Sequence, residues 1–176
     1  MREDDPLTKL REVSRTIHEQ VDRAYSGFSL SDAASYTAFL QAHGRVLPQV
    51  EAWLKTVVNL PSWRERTEYL RSDLAELGHD LPECLDWQPP SGVGAPLGVL
   101  YVLEGSRLGG KMLAAQVGEG LPHTYLSAGH EKGGWPAFLQ TLRERLQNAD
   151  DSHRQSVMDG VTSAFDLFRR AATVRR

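Results

Sequence analysis

The sequence is short of cysteine, of net charge and of long apolar runs, and each shortage excludes a class of protein. Its one cysteine, Cys84, excludes a disulfide framework within the chain and a cysteine-ligated zinc site. The net charge of −3 provides no basic field for nucleic acid. No apolar run reaches the roughly 18 residues of a membrane span, and the charged start MREDDPLTKL has no signal-peptide core. We therefore expect a cytoplasmic protein with no nucleic-acid or membrane partner.

The sequence does carry the periodic pattern of helices. Hydrophobic residues make up 40% of the 176 positions and charged residues 24%, which is the balance of an ordinary globular domain. Apolar residues recur at steps of three and four from Pro6 to about Tyr25, the period of an amphipathic helix. No convincing alternating stretch predicts a strand. The expected fold is therefore all-α, a helical bundle in one domain over residues 1–176.

Proline and glycine residues set the predicted helix ends. A second helix is predicted after a cap at Ser31 and runs to about Val58, and Pro48 should kink it or divide it in two. A third predicted helix has Gly78 as its C-terminal stop. The third helix and the last two predicted helices cover residues 63–78, 137–147 and 153–174.

The stretch GVLYVLEGSRLGGKML, Gly98 to Leu113, can be interpreted in two ways. From Gly105 it reads G-x-x-x-x-G-K, close to a phosphate-binding loop. That loop ends in a Ser or Thr that holds magnesium, and it needs a strand before it. Met112 stands at the Ser/Thr position and cannot bind a hard cation, and the rest of the chain predicts helices. A helix is therefore the favoured interpretation.

As a helix, this stretch would carry glycines along one face. Gly94, Gly98, Gly105 and Gly109 follow one another at spacings of four, seven and four residues, which keeps them on one side. Each interior glycine costs about 1 kcal/mol relative to alanine, so something should pack closely against the bare backbone. The sequence leaves two candidates open, a second helix that crosses closely or a large flat ligand. The pair Gly109-Gly110 would also let the helix bend.

A histidine on the first predicted helix bears on that choice. His18 lies at the edge of the apolar stripe Leu10-Val13-Ile17-Val21, where a lone histidine is more often an ordinary boundary residue than a metal ligand. The other histidines lie mostly in predicted loops, and only His43 is well inside a helix. The combination of His18 on one helix with a glycine face on another favours a ligand role for His18.

The glycine-rich helix and the first helix both resemble segments of a known family. LGVLYVLEGSRLGGKML resembles the distal helix of bacterial heme oxygenases, especially the biliverdin-producing type often found beside bacterial phytochromes. VSRTIHEQVD resembles the N-terminal helix of that family, which bears the proximal histidine. The resemblance covers most of the chain and implies a heme-oxygenase-like helical bundle whose distal helix is kinked at its glycines.

The resemblance also implies a role for each matching residue. His18 would bind the heme iron, and Asp22 would hydrogen-bond its imidazole. Gly105 and Gly109 would press on the opposite heme face, with Gly110 completing the flexible pair. Ser106 stands where several heme oxygenases have an aspartate that orders water for proton delivery. The remaining implied contacts are Tyr101 at the pocket rim, Phe165 and Phe168 at the heme edge, and Arg11 as the first candidate at the propionates, with Lys111, Arg169 and Arg170 as weaker candidates.

The activity implied is the oxidation of heme b, as cofactor and substrate, by O2 to biliverdin, carbon monoxide and ferrous iron. The sequence has no flavin or iron–sulfur motif, so electrons would come from a ferredoxin or a flavodoxin or NADPH reductase. A bacterial phytochrome is a candidate receiver of biliverdin. A heme carrier or sensor is the alternative. Thiaminase-type hydrolases and di-iron oxidases share the scaffold, but Cys84 lacks the matching context and the chain has no E-x-x-H pairs.

Overall fold

The computed structural model describes residues 5–174 and forms helices without any strand in that range. The eight helices are α1 (Pro6–Tyr25), α2 (Ala33–Gly44), α3 (Leu47–Lys55), α4 (Thr67–Glu76), α5 (Ala95–Ala114), α6 (Thr124–Ser127), α7 (Gly134–Gln147) and α8 (Asp151–Ala172). This confirms the predicted all-α class. None of the helices in this range is long and apolar enough to cross a membrane.

The ends of the first three helices follow local side chains. α1 begins as predicted, because the Asp5 carboxylate accepts a hydrogen bond from the Leu7 amide and Pro6 occupies the first turn. The long second helix is divided, with Pro48 in the first turn of α3. The predicted cap at Ser31 is wrong by one residue: the Asp32 carboxylate accepts from the Ser35 amide at 2.8 Å.

The start of α4 depends on a residue from another helix. The sequence predicted a start near residue 63, but α4 begins at Thr67. The buried Glu51 carboxylate of α3 accepts hydrogen bonds from the Arg66 amide at 2.8 Å and from the Thr67 amide at 3.1 Å. Burial raises the pKa of Glu51, while these hydrogen bonds favour its charged form. Gly78, at a φ of 82°, ends this segment as predicted.

α5 is one helix through the glycine-rich stretch, which excludes the phosphate-loop interpretation. Its first half interlocks with α8. A Cβ on Gly98 would overlap the Val157 carbonyl, and a Cβ on Gly160 would overlap the Ala95 carbonyl. The Gly94 amide donates to the Ser156 hydroxyl at 2.8 Å. The helical assignment continues through the Gly109-Gly110 pair, and a bend there stays a prediction.

α8 also packs along α1, so it lies between the helix that carries His18 and the helix that carries the glycines. The Tyr25 hydroxyl at the end of α1 donates to the Phe168 carbonyl oxygen at 3.0 Å. Helices α6 and α7 pack on α5 from other sides. The core between these layers is mostly leucine, valine and phenylalanine.

Candidate functional site

The second half of α5 presents an apolar strip that is exposed from Leu108 onward. Tyr101, Gly105, Leu108, Gly109 and Met112 fall within one arc of roughly 100° on the helix. Leu108 is 49% exposed and Met112 is 76% exposed. A Cβ on Gly109 would meet no described atom within 4 Å apart from its chain neighbours and the nearby backbone of α5 itself. The four predicted glycines therefore divide into two pairs. α8 covers Gly94 and Gly98, and Gly105 and Gly109 lie along the strip.

One edge of this strip is bounded by Trp135 at the start of α7. The Trp135 Cη2 atom lies 3.8 Å from the Cβ position of Gly105. Its ring stacks on Tyr101, with 6.2 Å between the ring centroids and 24° between the ring planes. The predicted rim residue Tyr101 thus has a partner that the sequence did not reveal. Trp135 follows a Gly-Gly pair in a segment that sequence patterns predict only as irregular.

Gly110 and Ser106 lie away from the strip. A Cβ on Gly110 would be 2.7 Å from the Leu126 carbonyl oxygen, so close packing of α6 explains this glycine. Ser106 lies beside the buried Tyr125 hydroxyl. Burial raises the pKa of Tyr125. The predicted heme contacts of Gly110 and Ser106 stay predictions, and their surroundings show other neighbours.

His18 on α1 has one ring nitrogen engaged and an exposed side chain. Its Nδ1 lies 3.2 Å from the Asp22 Oδ2, a pair that the family resemblance implies. Its ring meets the Phe165 ring edge-on, with 5.4 Å between the centroids. The side chain is 57% exposed. With Nδ1 held by a carboxylate, Nε2 is the nitrogen left to bind a metal.

Three other histidines are engaged in ways that do not suit them to be axial ligands. His43 is 8% exposed, with Nδ1 2.9 Å from the Phe39 carbonyl oxygen, and burial lowers its pKa to about 4. His130 Nε2 lies 2.7 Å from the Glu104 carboxylate. His123 Nδ1 lies 2.7 Å from the Ser127 hydroxyl. Of these four histidines, His18 best combines exposure with a carboxylate on Nδ1.

The other predicted contact residues are spread over α1 and α8. Arg11 is exposed, two turns before His18 on α1. Arg169 and Arg170 both pair with Asp166, at 2.7 and 3.1 Å, so a propionate would compete with that carboxylate. Phe168 is 5% exposed and belongs to the core. The structure thus brings Phe165 to His18, and the roles at the propionates stay predictions.

A buried charge cluster on the adjacent side of α5 was missed by sequence reasoning. The Glu104 carboxylate lies 2.7 Å from His130 Nε2 and 3.5 Å from Arg107 Nε. Arg107 also donates to the carbonyl oxygens of Ala128 and Arg64. Burial lowers the pKa of Arg107. Through Glu104, the residue before Gly105, the cluster binds the segment between α6 and α7 to α5. No group of three or more His, Cys, Asp or Glu within residues 5–174 is arranged to hold a metal ion.

Comparison with known proteins gives the family. No protein-family model matches the chain. The chain is similar to a protein of Xanthomonas campestris pv. campestris (strain 8004) named heme oxygenase, with 33% identity over 148 residues, which is 78% of this chain and 88% of that protein. The alignment spans nearly the full length of that relative, and the all-helical architecture agrees with it. The chain therefore belongs to the heme oxygenase family.

Proposed function

We propose that this protein oxidises heme to biliverdin, carbon monoxide and ferrous iron, with O2 and electrons from an external reductase. The observation that carries the proposal is the bare strip of α5. Gly109 has no described neighbour where a Cβ would lie, and the next turn of the strip exposes Met112. A glycine in a helix interior is unfavourable unless a close approach requires it. A flat apolar ligand is such an approach.

The residues present fit a heme. From Gly105 to Met112 the strip extends for about 10 Å along α5, long enough to lie against a flat macrocycle. His18 offers Nε2 for the iron, and Asp22 holds the imidazole through Nδ1. Arg11 and Arg169 are the candidate propionate contacts, because a guanidinium pairs well with a carboxylate.

When bound, heme supplies the iron that activates O2 and the meso carbon that is oxidised. The contribution of α5 is that Gly105 and Gly109 bring no side chain, and therefore no acid or base, to the strip. This would leave room for a bound ligand beside Gly109, while Trp135 would border it at Gly105. Ser106 lies about 100° of helix rotation from Gly105, so its hydroxyl would exchange a proton with the strip only through intervening water.

The proposal includes the partners. A ferredoxin, or a flavodoxin or NADPH reductase, would deliver the electrons, since the sequence carries no motif for a redox group of its own. We place the reaction in the cytoplasm. We also propose that the protein is of the heme oxygenase type found beside bacterial phytochromes. It would supply biliverdin to such a phytochrome.

Absorption spectroscopy of the purified protein with hemin tests the proposal. We expect a Soret band on binding, and its loss with the broad red band of biliverdin once a ferredoxin reductase system and O2 are added. A Soret band that persists under reducing conditions would instead identify a heme carrier or sensor. Absence of any Soret band would refute both functions.

The iron ligand is tested with His18→Ala. We expect this variant to lose the ferric spectrum of the wild type, and imidazole added to the buffer to restore it in part. His79→Ala is the matched control, because His79 is also exposed but lies in the loop after α4. An unchanged spectrum in His18→Ala would remove His18 as the ligand.

A further inference from the structure

The Trp135 ring lies beside the strip of α5. It lies on α7, near the helix N-terminus, and its ring reaches across to α5. Apart from the nearby backbone of α5 and the two chain neighbours of Gly105, the Cη2 atom at the tip of the indole is the one described heavy atom within 4 Å of the Cβ position of Gly105. The strip therefore has an aromatic side wall at Gly105 and none at Gly109.

The Trp135 ring contacts three other rings. Tyr101 stacks on the Trp135 ring, and Phe138 stacks on it with 5.8 Å between centroids and 20° between planes. The His130 ring lies 5.6 Å from it, and Glu104 fixes His130 at 2.7 Å. Because aromatic rings in such stacks lose little further freedom when a ligand binds, the wall is already in place before binding.

We propose that Trp135 is a positioning residue that contacts the edge of the heme beside Gly105 and limits how far the macrocycle rotates in its own plane. The inference rests on the proposed heme binding at the α5 strip. A planar ligand between His18 and the strip is held along its normal by those two elements. Neither element restricts rotation about that normal, whereas a wall at one edge does. Trp135 therefore helps to select which meso carbon faces the oxidised position.

Paramagnetic NMR of the ferric cyanide complex tests this inference without turnover. The shifts of the four heme methyl groups depend on how the macrocycle and the axial imidazole are oriented with respect to each other. We expect Trp135→Leu to bind hemin with a Soret band but to redistribute the methyl shifts or to add a second set. Hemin dissociation should be severalfold faster, and product analysis should show a changed ratio of biliverdin isomers.

Two variants separate positioning from damage to the fold. Trp135→Phe keeps a smaller ring in the stack and should give a methyl pattern between those of the wild type and Trp135→Leu. Trp53→Leu is the matched control, since Trp53 is also half-buried and in an aromatic pair, with Trp87, but lies on α3. That control should keep the wild-type pattern.

The outcomes distinguish this inference from the proposed function. A wild-type methyl pattern and isomer ratio in a folded Trp135→Leu would overturn the role of Trp135 while leaving heme oxidation intact. Altered methyl shifts in a protein that never forms biliverdin would support the wall and refute the reaction. A wild-type protein without a Soret band would remove the basis of both.

Discussion

At the scale of single residues, the contact between His18 and Asp22 sets the character of the proposed iron ligand. A carboxylate 3.2 Å from Nδ1 orients the imidazole and makes it a stronger donor through Nε2. Asp22→Asn should keep the geometry but remove the charge. We expect the reduction potential of bound heme to rise and the iron–histidine stretching frequency of the ferrous form to fall in resonance Raman spectra.

Glu19→Gln is the control for this prediction. Glu19 is exposed on the same turn as His18, and its substitution changes the local charge by the same amount. A potential that shifts equally in both variants would mean that general electrostatics, rather than the Asp22 contact, tunes the site.

A second prediction concerns His43, which lies within a cluster of rings from Tyr25, Phe39, Tyr125 and Phe168. Burial lowers its pKa from 6.5 to about 4. Below pH 6.5 the unfolded chain binds a proton at His43 that the folded protein does not bind until the pH nears 4. The free energy of unfolding should therefore decrease by about 3 kcal/mol across this window from this residue alone.

His43→Phe removes the titration and retains a ring in the cluster. Denaturant unfolding of both proteins at pH 7 and pH 4 measures the difference. The decrease between the two pH values should be about 3 kcal/mol smaller in His43→Phe. Equal decreases would show that folding does not lower the pKa of His43.

At the scale of the helix, the glycines of α5 serve two purposes. Gly109→Ala should raise the free energy of unfolding of the heme-free protein by up to about 1 kcal/mol, because alanine favours the helix and its methyl group meets open space. The same methyl group enters the strip, so hemin affinity should fall at least tenfold. Thermal unfolding and hemin titration measure the two effects.

Gly98→Ala is the contrasting control on the same helix. Its Cβ would overlap the Val157 carbonyl of α8, so it should destabilise the protein by at least about 2 kcal/mol. If Gly109→Ala destabilised the heme-free protein to the same degree, the strip would be a packed surface rather than an open one.

The elements that sequence patterns predicted are those with local causes. Pro6 and Asp5 start α1, and Pro48 divides the second helix, because each acts within a few residues. The start of α4 depends on Glu51, 15 residues away from Arg66 in sequence, so no local pattern could place it. The glycine face was visible by its spacing, and His18 was singled out by its place at the edge of an apolar stripe together with that face and the family resemblance. Trp135 and the Glu104 cluster were not, since Trp135 stacks on Tyr101 of α5 and His130 reaches Glu104 from the connection between α6 and α7.

At the scale of the whole molecule, the heme-free protein should be unevenly stable. The first half of α5 is largely buried against α8, and the second half carries the exposed strip. Hydrogen exchange should therefore be faster for amides after Gly105 than for those before it. Hemin should slow exchange in the second half of α5 and around His18 on α1.

Mass spectrometry of exchanged peptides measures this pattern. α4 serves as the internal reference, because it packs on α2, α3 and α6 and does not border the strip. Its exchange should change little with hemin. Protection that appears mainly in α4, with none in α5, would place the ligand elsewhere.

The two sides of the proposed heme pocket are attached to α8 by different kinds of contact. α5 meets α8 backbone to backbone at Gly98 and Gly160, which leaves no room for sliding. α1 meets it through side chains, with Phe165 against His18 and a hydrogen bond from Tyr25. Side chains can change rotamer, whereas interlocked backbones move together. We expect α1, which carries His18, to move relative to α8 while α5 stays fixed to it. A ring-opened product would then leave past α1.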